Sequence, residues 1–381
     1  MGWHRLYLAA AAIFLLLIPA ASLGEPLPQE SRDQLGTYDL SAWEAYYQTL
    51  PESVRQVWDG ASLTGIIERI ASGEGIKYEN VFTALGGAAL AALRKSMGAY
   101  AILMGTALLS CVADILCGGK AGISDIVSFL CFGMSAAAVS YALMQQVSTA
   151  RLAIASLTAF MEIATPVMAF ALTAVGSVTL SGAIQPLMAF LGTTVAAFFK
   201  NIILPLTAAG GTAVIIGALS QKMGLTQLHR LIKSAVKWLT GAVFTVYFGV
   251  VAIQGLSMGG ADSITLRAAK YALDKSVPIV GGAMSGTLET VLGSAVLIKN
   301  AVGAAAMALI MGAVFSPLLQ IASAGFACKV AAAICAPIGD ERIPKLLTGL
   351  SEVYNNLFAA VTAVALMFMI LAGLVMAAGN V

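Results

Sequence analysis

Three carboxylates, Asp114, Glu162 and Glu289, stand in stretches that otherwise hold almost no charge. An ionisable group at membrane depth is costly, and it normally faces a bundle interior or a water-filled path. Three such groups could line a polar conduit or take up a proton or an ion. The plainer reading is that Asp114 snorkels toward a span end while Glu162 and Glu289 accept hydrogen bonds within the bundle. A second constellation is basic: Lys222, Arg230, Lys233 and Lys237 alternate with Leu225, Leu228, Leu231, Ile232 and Val236. That mixture suits either the anionic cytoplasmic face of a membrane or a cytoplasmic partner.

Motifs for catalysis are sparse. Gly119-Lys120 lacks the upstream glycine of a phosphate-binding loop, so the chain is not expected to hydrolyse ATP. Gly255-Leu256-Ser257-Met258-Gly259 matches G-x-S-x-G. That pattern makes a nucleophile elbow only at a strand-to-helix turn with a histidine nearby, and here it closes an apolar stretch. His229 is the one histidine outside the first few residues, which excludes a multi-histidine metal site. Cys111, Cys117, Cys131, Cys328 and Cys335 all lie in or beside apolar stretches and read as small buried residues. No catalytic residue, cofactor or metal is expected.

The elements that must position these groups follow from composition. The chain has 381 residues, 59% hydrophobic and 10% charged, with a mean hydropathy of +0.89. Soluble domains carry about 25% charged residues. This composition excludes an ordinary cytosolic enzyme, a disordered protein and a nucleic-acid binder with a basic face. It fits an all-α, polytopic membrane protein. Stretches long enough to cross a bilayer occur near 97–118, 124–147, 152–176, 182–199, 201–220, 238–258, 301–324 and 354–378, about eight spans. The Gly-rich stretch 278–298 is a candidate re-entrant hairpin, and 326–338 is too short to cross alone.

The net charge of +2 hides an asymmetry. Residues 1–80 hold ten acidic and five basic side chains, and the remainder is mildly basic. Residues 1–24 have the three parts of a secretory signal peptide: Arg5, the uncharged run Leu6–Ile18, and small residues at 20–24. Residues 25–80 then form a small extracytoplasmic helical segment, and 81–381 the membrane domain. Ser41-Ala42-Trp43-Glu44 fits a capping box, Pro51 separates two helices, and Leu63, Ile66, Ile67 and Ile70 line a third. About 55 residues are marginal for independent stability. Docking of this segment onto the membrane domain or a partner is therefore expected. Alternation across five spans places the basic cluster 221–237 in the cytoplasm, with Arg151, Lys200 and Lys299 in outer loops.

A resemblance is carried by Trp238-Leu239-Thr240-Gly241, by Phe248–Leu256, and by Asp262 with Arg267-Ala268-Ala269-Lys270-Tyr271. Pro278–Gly282, Lys299–Gly303, Pro317-Leu318-Leu319 and Ala336-Pro337-Ile338-Gly339 continue it. Together they resemble the stage III sporulation protein AE family of endospore-forming bacteria. The resemblance implies a non-enzymatic subunit of a multi-protein channel complex between mother cell and forespore, needed for late forespore development. It implies as partners the other stage III sporulation proteins, including a cytoplasmic ATPase and ring-forming subunits of the intermembrane space. It places the chain in the mother-cell-derived membrane around the forespore, with 25–80 facing the intermembrane space. The other class open to the sequence is a permease that moves a small solute or ion through its own helix bundle.

Overall fold

The computed structural model describes residues 34–58, 60–72, a few positions between 86 and 105, 123–219, 225–276, 281–338 and 342–378, with the backbone alone over 253–276 and 281–290. Every regular element among them is helical. The expected signal peptide 1–24 and the span near 97–118 lie largely or wholly outside the described residues.

The N-terminal unit begins with α1 (Ser41–Thr49), α2 (Glu52–Arg55), a 3-10 turn (Gln56–Trp58) and α3 (Leu63–Ala71). Pro51 sits at the N-cap of α2 and Ser62 at that of α3, where its hydroxyl accepts from the Gly65 amide. Trp43, Tyr47, Leu63, Ile66 and Ile67 are buried. The capping box at 41–44 does not form. Ser41 donates its amide and hydroxyl to Asp39 Oδ1, and Glu44 Oε2 accepts from the Leu63 amide at 2.7 Å. Glu44 thus serves a tertiary contact, capping the start of α3 rather than that of its own helix. The Ser41 bonds hold the Asp39 carboxyl below its usual pKa.

The larger body holds α4 (Ile123–Ala174), α5 (Val178–Phe190), α6 (Leu204–Leu219), α7 (Leu225–Ser276), α8 (Gly281–Cys335) and α9 (Arg342–Ala377). Between α5 and α6 the path stays helical through two π turns, Leu191–Val195 and Phe199–Ile203, around a short α segment. Five helical stretches among the described residues are long and apolar enough to cross a membrane: Phe132–Ala174, Gly192–Ala218, Gln227–Ala252, Val291–Cys335 and Arg342–Ala377.

The expected count of about eight spans is not confirmed among the described residues. The stretches 124–147 and 152–176 are one helix, because Ser148–Arg151 contains no Gly or Pro to break it and Thr149 bonds back to the Gln145 carbonyl. The stretches 182–199 and 201–220 join through the π turns. The re-entrant reading of 278–298 fails too: from Gly281 on, these residues are the first part of α8, and Pro317 does not interrupt it. Arg151, Lys200 and Lys299 therefore lie in helices rather than in outer loops, so the alternation argument loses its basis. At 1.5 Å per residue α4 is about 78 Å long, against a hydrocarbon core of about 30 Å. It must extend well past the bilayer.

Helix α9 fills the centre. Leu346, Leu350, Leu357, Val361, Val364 and Leu371 are fully buried. Its main partner is α8, whose run Ala301–Ala306 is buried throughout. Small residues there let two backbones approach closely, which drives packing where lipid removes the hydrophobic gain. Gly349 on α9 faces Val214 of α6, and Gly211 on α6 faces Leu143 of α4; a Cβ on either would stand within 2.6 Å of the facing side chain. Ile126, Phe129, Leu130 and Met134 on α4 are exposed, as lipid-facing residues are.

Candidate functional site

Docking of the N-terminal unit onto the bundle is explicit. The Trp43 indole donates to the Ile163 carbonyl at 3.2 Å. The Tyr46 hydroxyl lies 2.8 Å from the Ser156 hydroxyl and donates to its carbonyl. Both rings pack on Phe160, and Tyr38 meets Phe170 edge-on at 4.9 Å. On the other side Leu50 and Val54 sit over Gly312 of α8. Burial pushes the Tyr38 hydroxyl up to about 12. The aromatic residues thus close the unit's core and attach it to α4 at once.

A groove of about 290 Å³ opens beside this attachment, between α4 and α5. Thr158, Glu162 and Thr165 line it from α4, and Gln185 and Thr193 from the α5 side. Met161, Pro166, Met188 and Ala189 supply carbon. Each threonine hydroxyl donates to the carbonyl four residues back in its own helix, to Ile154, Met161 and Ala189. Their oxygens are left as acceptors toward the groove. Pro166 has no N–H, so the main-chain carbonyl of Glu162 loses its helical donor. Thr193 lies in the π turn Leu191–Val195, and such turns are frequent at functional sites. Glu162 is exposed, and no cation stands within ion-pair distance of it among the described residues.

The basic cluster divides. Arg230 and Lys237 are exposed on α7 together with Leu228, Leu231 and Trp238, an interfacial combination. Lys233 turns inward and pairs with Glu352 of α9 at 2.8 Å. His229 joins them: Nε2 faces Glu352 Oε2 at 3.3 Å and Nδ1 faces the Gly210 carbonyl of α6 at 3.2 Å. Both partners accept, so a ring that makes both bonds donates from both nitrogens. Three helices meet at this network. Glu352→Gln should destabilise the chain by about 1 kcal/mol, since the pair is partly solvated. Thermal unfolding in detergent reads this, and an unchanged midpoint would show the network to be idle.

Lys222 and Asp114 lie outside the described residues. Glu289 lies on the first part of α8, far along the chain from the Glu162 groove. The residues 255–259 are interior helix of α7, so the G-x-S-x-G match has no strand-to-helix turn. Cys328 and Cys335 are buried and form no disulfide. Among the described residues no three His, Cys, Asp or Glu side chains gather to hold a metal. Sequence reading alone misses Glu352 and the true setting of Lys299. Lys299 is fully buried on α8, and its ammonium donates to the carbonyls of Met376 and Ala378 at the end of α9. An ionisable residue inside an apolar helix is the signal that marks both.

Comparison with known proteins agrees with the block of residues from 238 onward. The family model described as "Stage III sporulation protein AE (spore_III_AE)" matches residues 61–379. A curated protein of Bacillus subtilis (strain 168), "Stage III sporulation protein AE", is 28% identical over 228 residues. That alignment takes in 60% of this chain and 57% of the relative, so the chain spans little more than half the length of the curated relative it matches. No solved structure matches.

Proposed function

The chain belongs to the stage III sporulation protein AE family, which gives it a role in sporulation, and on that premise we propose that it is a non-enzymatic membrane subunit of a multi-protein complex linking mother cell and forespore. The observation that carries this reading is the family match over 61–379. In it, residues 1–24 export the N-terminal segment, 25–80 face the intermembrane space, and 81–381 hold the chain in the mother-cell-derived membrane around the forespore. The partners are other stage III sporulation proteins, including ring-forming subunits of the intermembrane space. The sequence has no phosphate-binding loop, so hydrolysis falls to a cytoplasmic ATPase subunit. The positive charge of Arg230 and Lys237, flanked by Trp238, would set this face on the cytoplasmic membrane surface or on that partner.

The bundle supports a platform better than a permease. A permease needs a path near its axis, and that axis is taken by α9, with Leu350, Leu357, Val361, Val364 and Leu371 buried against its neighbours. The test is purification of the tagged chain in mild detergent from sporulating cells, followed by mass spectrometry. Recovery of an ATPase and other sporulation membrane proteins supports the reading. Recovery of the chain alone, while other membrane complexes stay intact, overturns it.

A further inference from the structure

We propose that the groove at Glu162 binds a primary ammonium group that carries an apolar stem. A carboxylate with no cationic partner among the described residues sits in a helix long and apolar enough to cross a membrane. It stands on the wall of a groove, where a few placed polar groups among carbon are what a small ligand requires.

The polar surroundings select the sign and the hydrogen-bonding character of the ligand. Thr158, Thr165 and Thr193 have each committed their proton to a carbonyl of their own helix. They offer lone pairs only. The Glu162 carboxylate and its freed main-chain carbonyl add further acceptors, and Gln185 can turn its amide oxygen inward. A ligand that satisfies this set must donate hydrogen bonds and bear one positive charge.

The carbon surface selects the rest. Met161, Pro166, Met188 and Ala189 form much of the wall, and small-molecule sites are mostly apolar with a few placed polar groups. A hard divalent cation needs about six or more oxygens converging at close to 2.4 Å. The described residues hold no such acidic cluster, and a groove of about 290 Å³ is far larger than a bare ion. An ammonium with an alkyl stem places three N–H donors on the acceptors and its carbons on the methionines. Two sources share this chemistry: the ethanolamine headgroup of a phospholipid, or a free alkylamine.

The test titrates n-butylammonium into the full chain in phosphatidylcholine–phosphatidylglycerol nanodiscs, followed by calorimetry. Saturable binding is expected, with n-butanol giving none and tetramethylammonium, which has no N–H, binding more weakly. Glu162→Gln should weaken binding by about tenfold or more, and Thr193→Val by about threefold, as loss of a charged and of a neutral acceptor implies. Helicity and unfolding midpoint check that both variants fold. Exchanging phosphatidylcholine for phosphatidylethanolamine identifies the source: a flattened isotherm means the headgroup already fills the groove, and an unchanged one means a free amine. Absence of saturable binding in the phosphatidylcholine discs overturns the proposal, as does equal binding by Glu162→Gln. The chain alone is titrated, so a failure here leaves the assembly reading intact.

Discussion

Replacing Lys299 with methionine is expected to destabilise the chain by about 2 kcal/mol, the cost of leaving half-buried helix-end acceptors without their charged donor. The last carbonyls of a helix have no partner within it and carry the negative end of its dipole. At the end of α9 those carbonyls belong to Met376 and Ala378, and the Lys299 ammonium, brought across on α8, donates to both. The lysine has no exposed surface, and its two acceptors at the helix end are half-buried, so water replaces the ammonium only in part. Methionine nearly matches the volume of the lysine stem, which keeps cavity formation out of the comparison. Lys299→Ala should cost more, because it also leaves a void at a fully buried position. Thermal unfolding in detergent gives the size of the effect. Hydrogen exchange of the amides over 372–378 gives its place: the end of α9 should open before the rest. A Lys299→Met chain as stable as the parent would refute the cap.

Gly312→Leu should unseat the N-terminal unit while leaving the bundle folded. A Cβ at Gly312 would stand 2.6 Å from Val54 Cγ1 and 3.3 Å from Leu50 Cδ1. Valine is stiff and cannot swing aside. Overpacking of this kind costs about 1–3 kcal/mol, and leucine adds more atoms than alanine would. The unit is held on its other side by Trp43 and Tyr46 on α4, so the strain is relieved by opening the α8 side. Protease cleavage within 34–72 should accelerate by about tenfold or more, the population change that 1.4 kcal/mol or above produces. Circular dichroism should keep its helical amplitude. Unchanged cleavage would mean that the unit does not rest on α8.

Much of the fold is legible in the sequence, and the reasons it stops being legible are local. Low charge and long apolar runs establish helices in a membrane. Pro51, Ser62 and the spacing of Leu63, Ile66 and Ile67 locate the N-terminal helices. Span counting fails at Ser148–Arg151 and at Lys200-Asn201, because hydropathy reports how apolar a stretch is and says nothing of whether the helix stops. Polar residues on one face of a long helix look like a loop in a hydropathy profile. The capping box fails because Glu44 has a better partner in the Leu63 amide, which is distant in sequence. For the candidate site, Glu162 is visible as an isolated carboxylate, whereas Gln185 and Thr193 join it only through the packing of α5 on α4. Lys299 resembles a loop residue until the absence of Gly or Pro in Leu297–Val302 is weighed. His229 and Glu352 are 123 residues apart, and their pairing is a property of the bundle.

The central claim is that this chain is a membrane subunit on which sporulation depends, with its N-terminal unit seated on the bundle. The most direct measurement is the count of heat-resistant spores from a host in which the chain's gene has been deleted and then restored in variant forms. The account predicts that deletion lowers the count by orders of magnitude, that the parent chain restores it, and that Gly312→Leu restores it only in part although the protein reaches the membrane. A deletion strain that forms heat-resistant spores at the parental level would contradict it.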